Sequence, residues 1–163
     1  MAKISVIGSG GWGIALAILL HKNGHNLTIW SFDKKEAEEL KITRENKTKL
    51  ANILIPENIE VTNDLKVAVE DKDILVLAVP SKAVRSVSKS LKNIIKDKQI
   101  IVNVAKGLEE DTLETMTNII EEELAEKNHM TKEDLLYNFG GEKALEYETR
   151  VHKLFETLKD LNK

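Results

Sequence analysis

A glycine-rich segment near the start of this 163-residue chain has the residue types and spacing best suited to chemistry. Gly8, Gly10 and Gly13 fit the pattern G-x-G-x-x-G, between an apolar run at 4–7 and a largely apolar segment at 12–21. When such a loop joins a strand to a helix, the three glycines permit a tight turn, a close approach to a pyrophosphate, and close helix packing. The free N–H groups of the helix then face the phosphates. The segment therefore predicts dinucleotide binding, and the alternative is a structural turn.

An acidic residue follows at the distance that such a site requires. Asp33 lies twenty residues after Gly13, where a carboxylate can bind the ribose hydroxyls of NAD. Asp33 is equally well placed to cap the helix that follows it, and both interpretations stand. A carboxylate at the ribose would repel the 2′-phosphate of NADP, and no arginine occurs at 31–35. Because Lys34 and Lys35 are present, we predict NAD as the cofactor with NADP as an alternative.

The other titratable residues predict no metal site and give no certain catalytic residue. The sequence has no cysteine, and its four histidines lack partners at ligand spacing: His21, His25, His129 and His152. Acidic runs such as 109–111 and 121–123 are interpreted as helix ends and solvent-facing surfaces.

These residues need a scaffold, and short apolar runs alternating with helical patterns indicate one. The predicted strands are 4–7, 27–30, 59–61, 74–79 and 99–104, and the predicted helices are 12–21, 34–43, 62–69, 82–95 and 109–123. Residues 44–58 are predicted to be irregular. The alternation predicts an α/β fold, a doubly wound Rossmann-type parallel sheet, with a short C-terminal helical appendage.

The pattern changes near Ala125, and this change divides the chain into a domain at 1–125 and a helical tail at 126–163. A long helix is predicted after Gly140-Gly141, with a narrow apolar seam formed by Tyr147, Val151, Leu154, Leu158 and Leu161. A seam this narrow is suited to packing against a single partner surface. We expect it to pack on the preceding domain, and a homodimer is the alternative.

Composition excludes several classes of protein. The chain is 42% hydrophobic and 31% charged, with a net charge of −3, so it has no basic surface typical of nucleic-acid binding. No apolar run approaches the roughly 18 residues of a membrane span. The start of the chain lacks the pattern of a secretory signal. These features predict a cytoplasmic protein.

Five segments, taken in order and spacing, resemble the NAD(P)-dependent glycerol-3-phosphate dehydrogenases over about residues 1–124. They are GSGGWGIALA, TIWSFD, PENIEVTNDL, ILVLAVPS and IVNVAKGLEED. The AVPS and AKGLE segments argue against the alternative of a hydroxyacyl-type or phosphogluconate-type dehydrogenase. The resemblance implies hydride transfer between sn-glycerol 3-phosphate and a nicotinamide cofactor, giving dihydroxyacetone phosphate.

The resemblance also implies site residues. Cofactor contacts are implied for Gly11, Trp12, Phe32, Pro80, Ser81 and Lys106. Trp12 would lie at the nicotinamide side and Phe32 against the adenine. Lys106 would also hold the phosphorylated substrate, and the alternative is a solvated loop lysine. Ala51 stands where the family commonly has a proline, so we assign no cofactor contact to that loop.

One part of the family pattern is missing. The family's second, all-helical domain supplies the proton-transferring lysine, and a G-P-[ST]-x-A segment normally leads into it. No such segment follows Leu124, and residues 126–163 are too few for that domain. We therefore expect cofactor binding with little or no turnover. Two alternatives follow: an enzyme whose site the tail completes, and a binding module that packs or dimerises through its tail.

Overall fold

The computed structural model describes residues 1–96 and 99–125. The strands are β1 Lys3–Ile7, β2 Asn26–Trp30, β3 Glu45–Asn46, β4 Leu50–Leu54, β5 Glu60–Thr62, β6 Ile74–Leu77 and β7 Ile100–Asn103. The helices are α1 Gly11–Lys22, α2 Lys34–Thr43, α3 Leu65–Val69, α4 Ser81–Leu91 and α5 Met116–Ala125. The predictions for 126–163, including the seam, lie outside the described residues.

Five of the strands form one parallel sheet in the order β5-β2-β1-β6-β7. The chain runs outward from β1 through β2 to β5, then crosses to the other side of β1 and continues through β6 to β7. The direction of winding therefore reverses between β1 and β6. In open parallel sheets the carboxyl ends of the strands at such a switch point form the crevice where ligands bind.

Helices cover both faces of the sheet. Leu75 and Leu77 of β6 belong to a core cluster with α4 and α5, whereas Val76 between them belongs to a cluster with α1 and α2. Neighbouring residues of a strand point to opposite faces, so a strand covered on both sides must be apolar throughout. The predicted doubly wound α/β fold is confirmed.

The segment at 44–58 contains a feature that the sequence did not reveal. It was predicted to be irregular, but β3 and β4 pair there as an antiparallel hairpin. Most of β4 is exposed, so it carries no burial pattern that a sequence could display. Arg44 anchors the base of the hairpin: its guanidinium donates to the carbonyl oxygens of Ile55 at 3.3 Å and Ile59 at 2.7 Å.

Two predicted helix starts were also wrong. The helix predicted from 62 begins at Leu65, since Asp64 caps α3: the Asp64 carboxylate accepts hydrogen bonds from the amides of Lys66 and Val67. Thr62 is held in β5 instead. The helix predicted from 109 begins at Met116, because residues 108–115 form a turn closed by a bridge between Leu108 and Thr115.

Arg85 of α4 fixes this turn and α5 with one guanidinium group. Its Nε and Nη2 donate to the two carboxylate oxygens of Glu109, each at 2.7 Å. Its Nη1 donates to Glu122 at 2.9 Å and to Glu123 at 2.6 Å. The hydrogen bonds from Arg85 and then from Thr112 lower the pKa of Glu109 to about 2, so this carboxylate stays ionised in the folded protein.

Acidification is therefore expected to destabilise the domain partly through Glu109. Its pKa is lower in the folded state than the ordinary value of 4.5, so the stabilisation is complete above pH 4.5 and is lost as the pH falls towards 2. Thermal unfolding measured from pH 7 to pH 3 checks this. The Glu109→Gln variant should lose less stability over that range than the wild type. The exposed neighbour Glu110 gives the control, and an equal effect of Glu110→Gln would contradict the assignment.

None of the helices in residues 1–96 and 99–125 combines the length and the apolar character needed to cross a bilayer.

Candidate functional site

The glycine loop lies at the carboxyl end of β1, against the ends of both neighbouring strands. The amide of Gly8 donates to the carbonyl oxygen of Trp30 at 3.0 Å. Gly8 has a φ of +132°, and a Cβ at this position would lie 2.6 Å from the carbonyl oxygen of Ala78. Only glycine combines this backbone conformation with this approach.

The other loop glycines differ in what surrounds them. A Cβ on Gly13 would overlap the carbonyl oxygen of Gly8, and one on Gly11 would overlap the carbonyl oxygen of Lys49 in the hairpin. A Cβ on Gly10 would have no protein atom within 4 Å among the described residues. Gly10 therefore presents its backbone to open space, whereas Gly11 and Gly13 allow close packing.

The N-terminus of α1 has no side-chain cap from the part of the chain that the structure describes. Its N-cap residue is Gly10, which has no side chain to accept a hydrogen bond, and its first turn holds no acidic residue. By contrast, aspartates cap α2 and α3. The first amides of α1 thus keep unpaired donors and a positive dipole end beside the open face of Gly10, which is the arrangement that binds an anion.

Two aromatic side chains lie exposed near this crevice. Trp12, in the first turn of α1, is 51% exposed, and Phe32, two residues beyond β2, is 82% exposed. Phe32 meets the buried Trp30 ring edge to face, with centroids 6.0 Å apart. Trp30 is itself fixed, since its Nε1 donates to the carbonyl oxygen of Asn63 at 3.0 Å. The Phe32 ring thus contacts a fixed neighbour and leaves most of its surface open.

Asp33 caps α2, as one of the two interpretations predicted. Its Oδ1 accepts from the amides of Lys35 at 2.7 Å and Glu36 at 3.0 Å. The hydrogen bonds from Glu36 and then Lys35 lower the pKa of Asp33, so the carboxylate is charged. Both bonds use Oδ1, and no hydrogen bond within the described residues is assigned to Oδ2. Capping therefore leaves Oδ2 able to accept a hydrogen bond from a ligand.

The remaining predicted residues lie at the same edge of the sheet. Pro80 and Ser81 follow β6 and begin α4. Lys106 is exposed and follows β7. Gly107, with a φ of +123°, brings this segment to Ser81: a Cβ on Gly107 would lie 3.5 Å from the Ser81 Cβ. The structure thus places all ten predicted residues at or near the carboxyl edge of the sheet.

Sequence reasoning missed a partly buried polar network behind the glycine loop. Glu36 Oε2 accepts from the hydroxyls of Ser9 and Ser31, each at 3.1 Å, and those hydroxyls lie 2.8 Å apart. Glu36 Oε1 accepts from Asn46 Nδ2 at 2.8 Å and Lys49 Nζ at 2.6 Å. The network joins the glycine loop, the end of β2, α2 and the β3–β4 hairpin.

The carboxylate at the centre of this network is ionised. Burial by itself would raise the pKa of Glu36, but hydrogen bonds from Lys49, Ser31 and Ser9, with the charge of Lys49, lower it. Sequence offered only a misleading signal. Asp33 and Glu36 have capping-box spacing, which would direct Glu36 back to the amide of Asp33, but Glu36 turns to the glycine loop instead.

Among residues 1–96 and 99–125, no group of three or more His, Asp or Glu side chains is arranged to hold a metal ion.

Comparison with known proteins identifies the family. A family model described as NAD-dependent glycerol-3-phosphate dehydrogenase N-terminus matches residues 3–132. The chain belongs to this family. A glycerol-3-phosphate dehydrogenase (NAD(P)+) of Fusobacterium nucleatum is 86% identical over 128 residues, which are 78% of this chain and 38% of the relative. One from Lactobacillus delbrueckii is 49% identical over 124 residues, covering 76% of this chain and 36% of the relative.

Solved structures of the glycerol-3-phosphate dehydrogenase family agree. The crystal structure of the enzyme from Coxiella burnetii matches with a TM-score of 0.72 and 29% identity, covering 77% of this chain and 38% of that one. The predicted family is thus confirmed, against the hydroxyacyl and phosphogluconate alternatives. The chain spans well under half the length of the curated relatives it matches.

Proposed function

We propose that this chain binds a nicotinamide dinucleotide as the cofactor-binding part of a glycerol-3-phosphate dehydrogenase. The uncapped N-terminus of α1, beside the open backbone of Gly10, carries the proposal. This anion-binding end lies at the switch point between β1 and β6, where doubly wound folds bind ligands. Membership of the family supports the same conclusion.

The loop residues divide between contact and support in this proposal. Gly10 and the amide of Gly11 face the pyrophosphate, while Gly8 and Gly13 keep the loop closed against the sheet. The ring of Trp12, which is exposed, would lie towards the nicotinamide side.

The outer residues would hold the rest of the molecule. Phe32 offers its open ring to the adenine, and Asp33 offers Oδ2 to a ribose hydroxyl. Pro80 and Ser81 border the cofactor across the crevice. Lys106, exposed at the same edge, would hold the substrate phosphate near the nicotinamide, since an ammonium group is a strong partner for phosphate.

The complete reaction would transfer a hydride between sn-glycerol 3-phosphate and bound NAD, with NADP as the alternative, giving dihydroxyacetone phosphate. Such a transfer depends on holding the two reactants in contact, so the protein must enclose the cofactor and the substrate from both sides. We propose that residues 1–125 form one side of this site, the side that binds the cofactor. The tail at 126–163 would pack on this domain, with a homodimer as the alternative. A cytoplasmic location is proposed from composition.

Binding and turnover can be measured separately on this chain. NADH titrated by fluorescence, and independently by calorimetry, should bind saturably. An assay with glycerol 3-phosphate and NAD should then show little or no hydride transfer, because residues 1–125 form only one side of the proposed site. Absence of NADH binding would contradict the proposed function. Turnover comparable to that of a full-length relative would contradict only the proposal that residues 1–125 form one side of the site.

A further inference from the structure

Glu36 occupies a position that the glycine pattern does not explain. Its side chain is 23% exposed and accepts hydrogen bonds from four side chains on three separate segments. Ser9 belongs to the glycine loop, Ser31 follows β2, and Asn46 and Lys49 belong to the hairpin. The hairpin is also bonded to the backbone of the loop, since the Asn46 side chain donates through Nδ2 to the carbonyl oxygen of Ser9 at 3.3 Å.

Glu36 also lines a cavity of about 310 Å³ between α2 and the hairpin. The charged residues that line it are Asp33, Lys35, Glu36, Glu39, Glu45 and Lys47. Four carboxylates thus face two ammonium groups, and negative charge remains in excess even when Lys49 is counted as the partner of Glu36. An added phosphate in this region would meet a net negative surface.

Asp33, the residue at the predicted ribose position, is one of the residues that line this cavity. A 2′-phosphate is carried on that ribose, so its two negative charges would lie towards this surface. The names of the relatives cover both NAD and NADP, so membership of the family does not decide the preference.

From this arrangement we infer that Glu36 is a specificity-determining residue, which makes the site favour the dinucleotide without a 2′-phosphate. The inference rests on the proposed dinucleotide binding. Glu36 acts in two ways. It keeps a negative charge beside the glycine loop, and it holds Lys49 at 2.6 Å, so that this ammonium group is not free to bind a phosphate.

The Glu36→Gln variant tests the charge while preserving the network. A glutamine can accept from Asn46 and Lys49 with its oxygen and donate to Ser9 or Ser31 with its nitrogen, because a hydroxyl also accepts. NADH and NADPH are titrated by fluorescence against each variant, and the measured quantity is the ratio of the NADPH Kd to the NADH Kd. We expect this ratio to fall roughly tenfold in Glu36→Gln, mainly through tighter NADPH binding.

A second variant keeps the test decisive if Glu36→Gln does not fold. Lys49→Met removes the neutralising ammonium group from a side chain that is 47% exposed, and should raise the ratio. Glu38→Gln is the matched control: it removes the same charge from the same helix, at an exposed residue paired with Lys34. Its ratio should stay near that of the wild type.

The outcomes separate the two proposals. A wild type that binds neither dinucleotide overturns the proposed function, and this inference with it. A wild type that binds NADH, with an unchanged ratio in Glu36→Gln or an equal shift in Glu38→Gln, overturns only the role of Glu36. A lower ratio in Lys49→Met would also contradict it.

Discussion

Replacing Gly8 with alanine is expected to lower the free energy of unfolding by about 3 kcal/mol or more. The backbone at Gly8 has a φ of +132°, which a residue with a Cβ rarely adopts. The new Cβ would also lie 2.6 Å from the carbonyl oxygen of Ala78, which belongs to backbone and cannot rotate away. The loop would have to move away from the end of β6, the neighbour of the central strand β1. Urea unfolding followed by circular dichroism measures the loss.

Gly24 offers a matched control for this variant. It also has a positive φ, +85°, but a Cβ there would meet no atom within 4 Å among the described residues. Gly24→Ala should therefore cost only the conformational strain, about 1 kcal/mol. Equal losses for the two variants would mean that the contact with Ala78 contributes nothing.

Replacing Gly10 with alanine is expected to have the opposite effect: the fold is kept and ligand binding is lost. Gly10 has a φ of −67° and open space where a Cβ would be, so the cost in stability should stay below about 1 kcal/mol. The methyl group would occupy the space through which the pyrophosphate approaches α1. We expect NADH to bind at least tenfold more weakly, a change of about 1.4 kcal/mol or more.

Calorimetric titration of folded Gly10→Ala with NADH is the direct measurement. Gly24→Ala is again the control, because Gly24 follows α1 at the opposite end of the helix and should leave the NADH affinity unchanged. Wild-type affinity in Gly10→Ala would place the phosphates elsewhere and contradict the proposed site. Together, the Gly8 and Gly10 variants separate the structural role of the loop from its binding role.

Much of the site could be predicted from sequence because its signals are local. The glycine spacing and the position of Asp33 need only a few dozen residues to be recognised, and the structure places both at the carboxyl edge of the sheet. The capping role of Asp33 was one of two open alternatives. The structure shows why they need not compete, since the cap uses Oδ1 alone.

The errors arose where distant contacts decide the local structure. The helix predicted from 109 starts at Met116 because Arg85, 24 residues away in the chain, holds Glu109 in a turn. The exposed hairpin after Arg44 has no burial pattern, so nothing in its sequence predicted pairing. Glu36 had the spacing of a capping box, yet bonds to Ser9, 27 residues earlier.

The sequence by itself determined the fold class, the family and the glycine loop. Apolar runs such as 74–77 require burial on both faces, and the spacing of Gly8, Gly10 and Gly13 requires a strand, a turn and a helix in succession. Only the tertiary structure decided what surrounds that loop: Ala78 against Gly8, open space at Gly10, and the Glu36 network behind it. The physical reason is that periodicity and glycine spacing record local conformation and burial. The partners of a partly buried carboxylate such as Glu36 are decided instead by chain segments that meet only after folding.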